Sequence, residues 1–149
     1  MSLMNHLSQQ LQSVNALVVI MEKEQALLSS TSSTSEDLLK CSQEKVEALG
    51  ILENLEKRRH AAQLKFGYPD NREGAALAAK DQGCSSIWDR ILAATVRANQ
   101  LNTLNGEMLN SRKKLNDQML KILKPSEQKL YGPSGHSVDH GKSRVDYKA

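Results

Sequence analysis

A seam with unbroken four-three spacing runs from residue 87 to residue 122. It comprises Ile87, Ile91, Ala94, Ala98, Leu101, Asn105, Met108, Arg112, Leu115, Met119 and Ile122. That rhythm keeps one stripe of a helix turned toward helical neighbours, and it is incompatible with a strand, whose side chains alternate with period two. No proline interrupts residues 70–124, and Pro125 then forbids continuation. The spacing predicts a helix from about Ser86 to Lys124, roughly 57 Å long at ~1.5 Å per residue.

A second seam near the start, Leu7, Leu11, Val14, Val18, Met21, Gln25 and Leu28, repeats the rhythm. Leu17, Ile20 and Leu27 widen it into a stripe fit for two neighbours, and predict a helix from about Leu3 to Ser30. The run Ser29 to Ser35 breaks it, because small hydroxyl side chains compete for backbone groups. Ser33 with Glu36 has capping-box spacing and predicts a second helix from about Glu36 to Phe66. Its apolar positions are Leu38, Leu39, Val46, Leu49, Leu52, Leu55, Ala62 and Phe66, less regularly spaced and with Gly50 among them. Gly67-Tyr68-Pro69 ends it. Asp70 with Glu73 repeats the box ahead of a short helix through Ala75 to Lys80, which Gly83 closes; Ser85 or Ser86 can cap the last helix.

The expected fold is therefore all-α. Three long helices form an antiparallel bundle with one short linking helix over residues 1–124, and a disordered tail follows over 125–149. The tail is rich in Gly, Ser, Lys and Asp and has too few large apolar residues to offset its ordering entropy. Composition agrees, with aromatic residues at 3% and an apolar set dominated by Leu and Ala.

The chain of 149 residues carries 20 Lys and Arg against 17 Asp and Glu. That balance argues against a dedicated nucleic-acid protein. Lys57-Arg58-Arg59-His60 is a basic cluster, and Glu53 and Glu56 lie within a turn of it, so it is expected to be a solvated helix face. No apolar run reaches the ~20 residues that cross a bilayer, so no stable membrane insertion is expected. Cys41 and Cys84 lack CxxC spacing and read as reduced cytosolic thiols, with Cys41 packing as a small apolar side chain.

Gly135 to Ser143 superficially resembles a phosphate loop. Five residues separate its glycines where four are required, and no strand precedes it. His136 and His140 have helical metal spacing, but flanking Gly135 and Gly141 oppose a helix and no third ligand is near. No nucleophile, base and orienting group can be assembled. The expectation is a binding protein with no cofactor, no metal and no catalytic residues.

The last helix is longer than the first two by roughly eight residues. Its end carries Met108, Leu109, Leu115, Met119, Leu120, Ile122 and Leu123. Oligomerisation, the tail or another protein would have to mask that surface, unless the helices stagger and bury it. Asn105 either fixes the register of the seam or faces solvent; Arg112 is expected to face solvent.

Three features resemble the FlgN-type flagellar secretion chaperones. They are the order of two long helices, an Ala-rich link and a longer last helix; the segment Asn102-Thr103-Leu104-Asn105-Gly106-Glu107-Met108-Leu109; and the turn Leu130-Tyr131-Gly132-Pro133-Ser134-Gly135. The likeness runs from about Leu7 to Gly135. It implies a cytosolic export chaperone that binds C-terminal helical segments of hook–filament junction (hook-associated) proteins, prevents premature assembly and delivers them to the flagellar export gate and its ATPase complex. It further implies that Met108, Leu109, Leu115, Met119, Leu120, Ile122 and Leu123 hold the substrate. Leu130, Tyr131 and Gly132 would dock on the gate. Self-association in the absence of substrate is a further expectation. The rival readings are a structural coiled-coil homo-oligomer and a helical adaptor.

Overall fold

A computed structural model describes residues 2–123. The order is α1 Leu3–Ser29, α2 Ser35–Lys65, α3 Arg72–Asp81 and α4 Ser85–Leu123, and the all-α fold holds. The tail and the boundary expected after residue 124 lie outside the described residues. Backbone contacts group the chain into Met1–Met108 and Leu109–Ala149, and α4 runs from the first unit into the second.

Each helix starts and stops for a local reason. Ser2 caps α1 by accepting the Asn5 amide at 3.2 Å. At its other end the Ser33 hydroxyl donates to the Leu27 carbonyl at 2.6 Å. This occupies Ser33, so the capping box sits one residue later than the sequence suggests. Thr34 accepts the Asp37 amide, and the Asp37 carboxylate accepts the Thr34 amide. The second expected box moves likewise. Asp70 is taken by His60, at 2.6 Å from Nε2, and Asn71 caps α3 by accepting the Gly74 amide at 2.7 Å.

The exits of α2 and α3 share one geometry. Gly67 and Gly83 adopt φ of 84° and 70°. The residue after each glycine donates back along the helix, Tyr68 to the Gln63 carbonyl and Cys84 to the Ala79 carbonyl. Only glycine takes this left-handed turn without strain.

Within Met1–Met108, α1 packs closely against antiparallel α2, joined by Lys23–Glu44 and Lys45–Glu24 ion pairs. α3 rests on α2. α4 runs in the direction of α1 and reaches it through side chains. One cluster gathers Leu3, Leu7, Val14, Ala78, Ala79, Cys84 and Ile91; another gathers Leu17, Met21, Ala98 and Leu101. Burial of each large aliphatic side chain there contributes about 1.5–3 kcal/mol. Cys41 is fully buried, as expected, with its thiol directed at the Ile20 carbonyl. Burial pushes the Cys41 and Cys84 thiols up, which suits packing rather than nucleophilic chemistry.

Candidate partner-binding surfaces

The expected substrate residues lie at the end of α4. Met108 is half-buried and belongs to the first unit. Leu109, Leu115, Met119, Leu120, Ile122 and Leu123 belong to the second and are 46–71% exposed. Leu115, Met119 and Ile122 follow one another at four-three spacing, so they form one stripe. Arg112, expected to face solvent, is only partly exposed. Four basic residues accompany the stripe, Arg112, Lys113, Lys114 and Lys121, against one acid, Asp117. Leu130, Tyr131 and Gly132, expected at the export gate, lie outside the described residues.

Asn105 sits where α4 meets α1. It is buried, and its amide nitrogen donates to the Met21 carbonyl and to Glu24 Oε1, both at 2.9 Å. Glu24 also pairs with Lys45 at 3.2 Å, so one carboxylate oxygen ties α1 to both α2 and α4. Of the two readings left open for Asn105, the solvent-facing one does not hold, because the side chain is buried and bonded to α1.

The basic cluster departs from its expected solvated face at one residue. Lys57 and Arg58 are exposed, but Arg59 is buried. Its Nε and Nη2 both donate to Glu56, its Nη1 donates to Gln63 Oε1 at 2.7 Å, and its guanidinium lies 5.0 Å from the centre of the Trp88 ring. Burial pushes the Glu56 carboxyl up, but Arg59 and the Gln10 amide outweigh it and hold the carboxyl below its ordinary 4.5. Gln63 continues the knot by donating to the Pro69 carbonyl at 2.6 Å.

A second surface is one the sequence analysis did not isolate. Within Met1–Met108, α2 and α4 stand apart above α1 and leave an apolar groove. One cavity of about 590 Å³ is lined by Gln10, Val14, Leu49, Leu52, Glu53, Glu56 and residues of α4 from Trp88 to Thr95. A smaller one, about 170 Å³, continues along Leu17, Met21, Ala98 and Asn102. Val14, Leu49, Leu52 and Thr95 line both, which makes them one trough. The available signal was the irregular apolar pattern of α2. Val46 and Leu49 remain 66% and 42% exposed because no helix covers that face.

Among the described residues no cluster of His, Cys, Asp and Glu could hold a metal, and no helix is long and apolar enough to cross a membrane.

No solved structure matches the chain. Two relatives named flagella synthesis protein FlgN, from Salmonella typhimurium and Salmonella typhi, are each 32% identical over 129 residues, covering 85% of this chain and 84% of the relative. The Escherichia coli protein of that name is 29% identical over 125 residues, covering 83% and 81%. The family model described as FlgN protein matches residues 1–138. The chain thus belongs to the FlgN family, a family of flagellar synthesis chaperones and not of enzymes.

Proposed function

We propose that the chain is a cytosolic chaperone for hook-associated proteins of the hook–filament junction, holding their C-terminal helical segments on the apolar end of α4 until delivery to the export gate. The observation that carries this reading is the exposure of Leu109, Leu115, Met119, Leu120, Ile122 and Leu123 within 15 residues of one helix. Apolar surface at that density favours a partner that buries it. Met108 and Met119 add adaptable side chains suited to gripping another helix. The partner is an assembly segment that folds as a helix on docking, driven by burial at about 25 cal/mol per Å² less its ordering cost.

A calorimetric titration with a junction-protein C-terminal segment tests the seat. Leu115→Asp and Met119→Asp abolish binding while helicity, read by circular dichroism, survives. Binding equal to the unaltered chain would remove substrate from this end of α4.

Gate docking is assigned to Leu130, Tyr131 and Gly132 on the resemblance of Leu130-Tyr131-Gly132-Pro133-Ser134-Gly135 to a Tyr-Gly segment of the family. Tyr131→Ala spares substrate affinity and lowers secretion of the junction protein into the medium. Loss of substrate affinity in that variant would merge the two sites into one.

A further inference from the structure

We propose that the trough between α2 and α4 is a second seat of the chaperone, shaped for a client helix that is apolar on one face and carries lysine or arginine along the edge of that face. The trough lies within Met1–Met108 and shares no residue with the stripe of Leu115, Met119 and Ile122. That the occupant is a client rests on the reading of the chain as a chaperone of helical segments. The shape and charge of the seat stand without it.

Shape comes first. The floor is Gln10, Val14, Leu17 and Met21 of α1, spaced four, three and four apart, so they form one row. The α4 wall repeats that spacing with Ile91, Thr95, Ala98 and Asn102, and Leu49, Leu52 and Glu56 make the α2 wall. Three rows at helical spacing leave a groove into which the ridge of a further helix fits, as in a four-helix bundle. The groove follows α4 from Trp88 to Asn102, roughly 21 Å at ~1.5 Å per residue. That is about four turns of an occupying helix.

Charge selects the occupant. Glu53 and Glu56 line the trough, and no Lys or Arg does. Glu56 is already gripped by Arg59 and Gln10. Glu53 pairs with Lys57 at 3.4 Å, but both side chains are more than 70% exposed, so water and salt weaken that pair. Beneath them Gln10 is buried with its Oε1 lacking a partner among the described residues. A buried acceptor in that condition costs stability until a donor reaches it. An occupant with a lysine or arginine edge supplies the cation for Glu53 and an N–H donor for Gln10. Residues 109–123 have the opposite character, with four basic residues and one acid. A basic-edged helix is therefore drawn to the trough and repelled by the end of α4.

Two synthetic helices without aromatic residues test the seat, each about 18 residues long, or roughly 27 Å. Both carry leucine at three-four spacing; one has lysine and the other glutamate along the edges of that face. Trp88 is the one tryptophan of the chain and lines the trough, so its emission reports occupancy. The lysine peptide binds the full chain, shifts Trp88 emission and outbinds the glutamate peptide by more than about tenfold. Leu49→Arg, at an exposed position on the α2 wall, weakens that binding by more than about tenfold while helicity survives. Glu53→Lys, on the exposed rim, narrows the preference for lysine by about threefold without touching the core. Leu115→Asp and Met119→Asp leave the peptide's affinity unchanged. The C-terminal region of a junction protein displaces the lysine peptide from the unaltered chain.

Equal affinity for the two peptides overturns the proposal. So do unchanged Trp88 emission, binding that survives Leu49→Arg, a preference unmoved by Glu53→Lys, and binding lost in Met119→Asp. A junction-protein region that binds the chain and leaves the lysine peptide in place overturns the client as occupant. A region that binds neither the unaltered chain nor any variant removes the chaperone reading instead, while the peptide pair still decides the seat.

Discussion

The side-chain amide of Asn105 donates to the main-chain carbonyl of Met21 at 2.9 Å, inside the interface between α4 and α1. The same nitrogen reaches Glu24, while Oδ1 of Asn105 is buried with no partner. The pairing fixes which turn of α4 faces which turn of α1. Asn105→Ala removes both bonds and leaves a small void, and is expected to lower unfolding stability by about 1–3 kcal/mol in a denaturant titration. An unchanged midpoint would mean that the apolar clusters alone set the register.

Arg59→Lys keeps the positive charge but loses the fork that grips Glu56 and Gln63 and the plate that lies over Trp88. A loss of about 1–3 kcal/mol, with altered Trp88 emission, is expected on thermal melting. Neighbouring Arg58→Lys is expected to be silent. Equal behaviour of the two variants would return Arg59 to the solvated face.

Gly74→Ala puts a methyl group against the Pro69 carbonyl, too close for any relaxed contact, with Gln63 Nε2 also at 3.0 Å. The loop between α2 and α3 must shift. A cost of about 1–3 kcal/mol is expected, whereas Gly50→Ala, with open space around the added carbon, is expected to stabilise α2 by a few tenths of a kcal/mol to about 1. The two midpoints measured side by side decide it.

Two groups give the fold an acid dependence of the same sign. Burial, aided by Arg58, holds His6 below the ordinary 6.5. The unfolded chain therefore takes up its proton first, and stability declines as pH falls below 6.5. Glu56 is held below 4.5, so its contribution is present above that value and is lost as pH falls through the lower, folded value. Melting temperature is expected to be flat from these groups above pH 7 and to fall in two stages on acidification. His6→Gln is expected to remove the first stage, and its persistence would assign that stage elsewhere.

The long helices were legible because four-three spacing is a property of the chain, and their observed ends fall within a residue or so of the expected ones. The caps were legible only as a region. Ser33, Thr34, Asp70 and Asn71 are all competent, and the choice depends on which side chain a distant partner has already engaged: Leu27 takes Ser33, and His60 takes Asp70. The burial of Arg59 was not legible, because a long side chain with a carboxylate three residues away looks the same whether it faces water or Trp88. The trough was hidden for a different reason. Sequence periodicity says which face of α2 and α4 is apolar, but not how far apart the two helices stand over α1. The exposed end of α4 was legible only as one of two readings, since helix lengths alone leave open a stagger that buries the apolar side chains beyond Asn105.

The α1–α2 hairpin is stitched by contacts only 21 residues apart, Lys23 to Glu44 and Glu24 to Lys45, while the Asn105 bond to Met21 spans 84. Closing the longer loop costs about 1.2 kcal/mol more in chain entropy. The hairpin is then the part that forms early, and α4 is the part that arrives last. Its arrival is what closes both apolar clusters, because Ile91, Ala98 and Leu101 supply the side of the core that α2 does not, so the helix whose end carries the stripe is also the keystone of the fold.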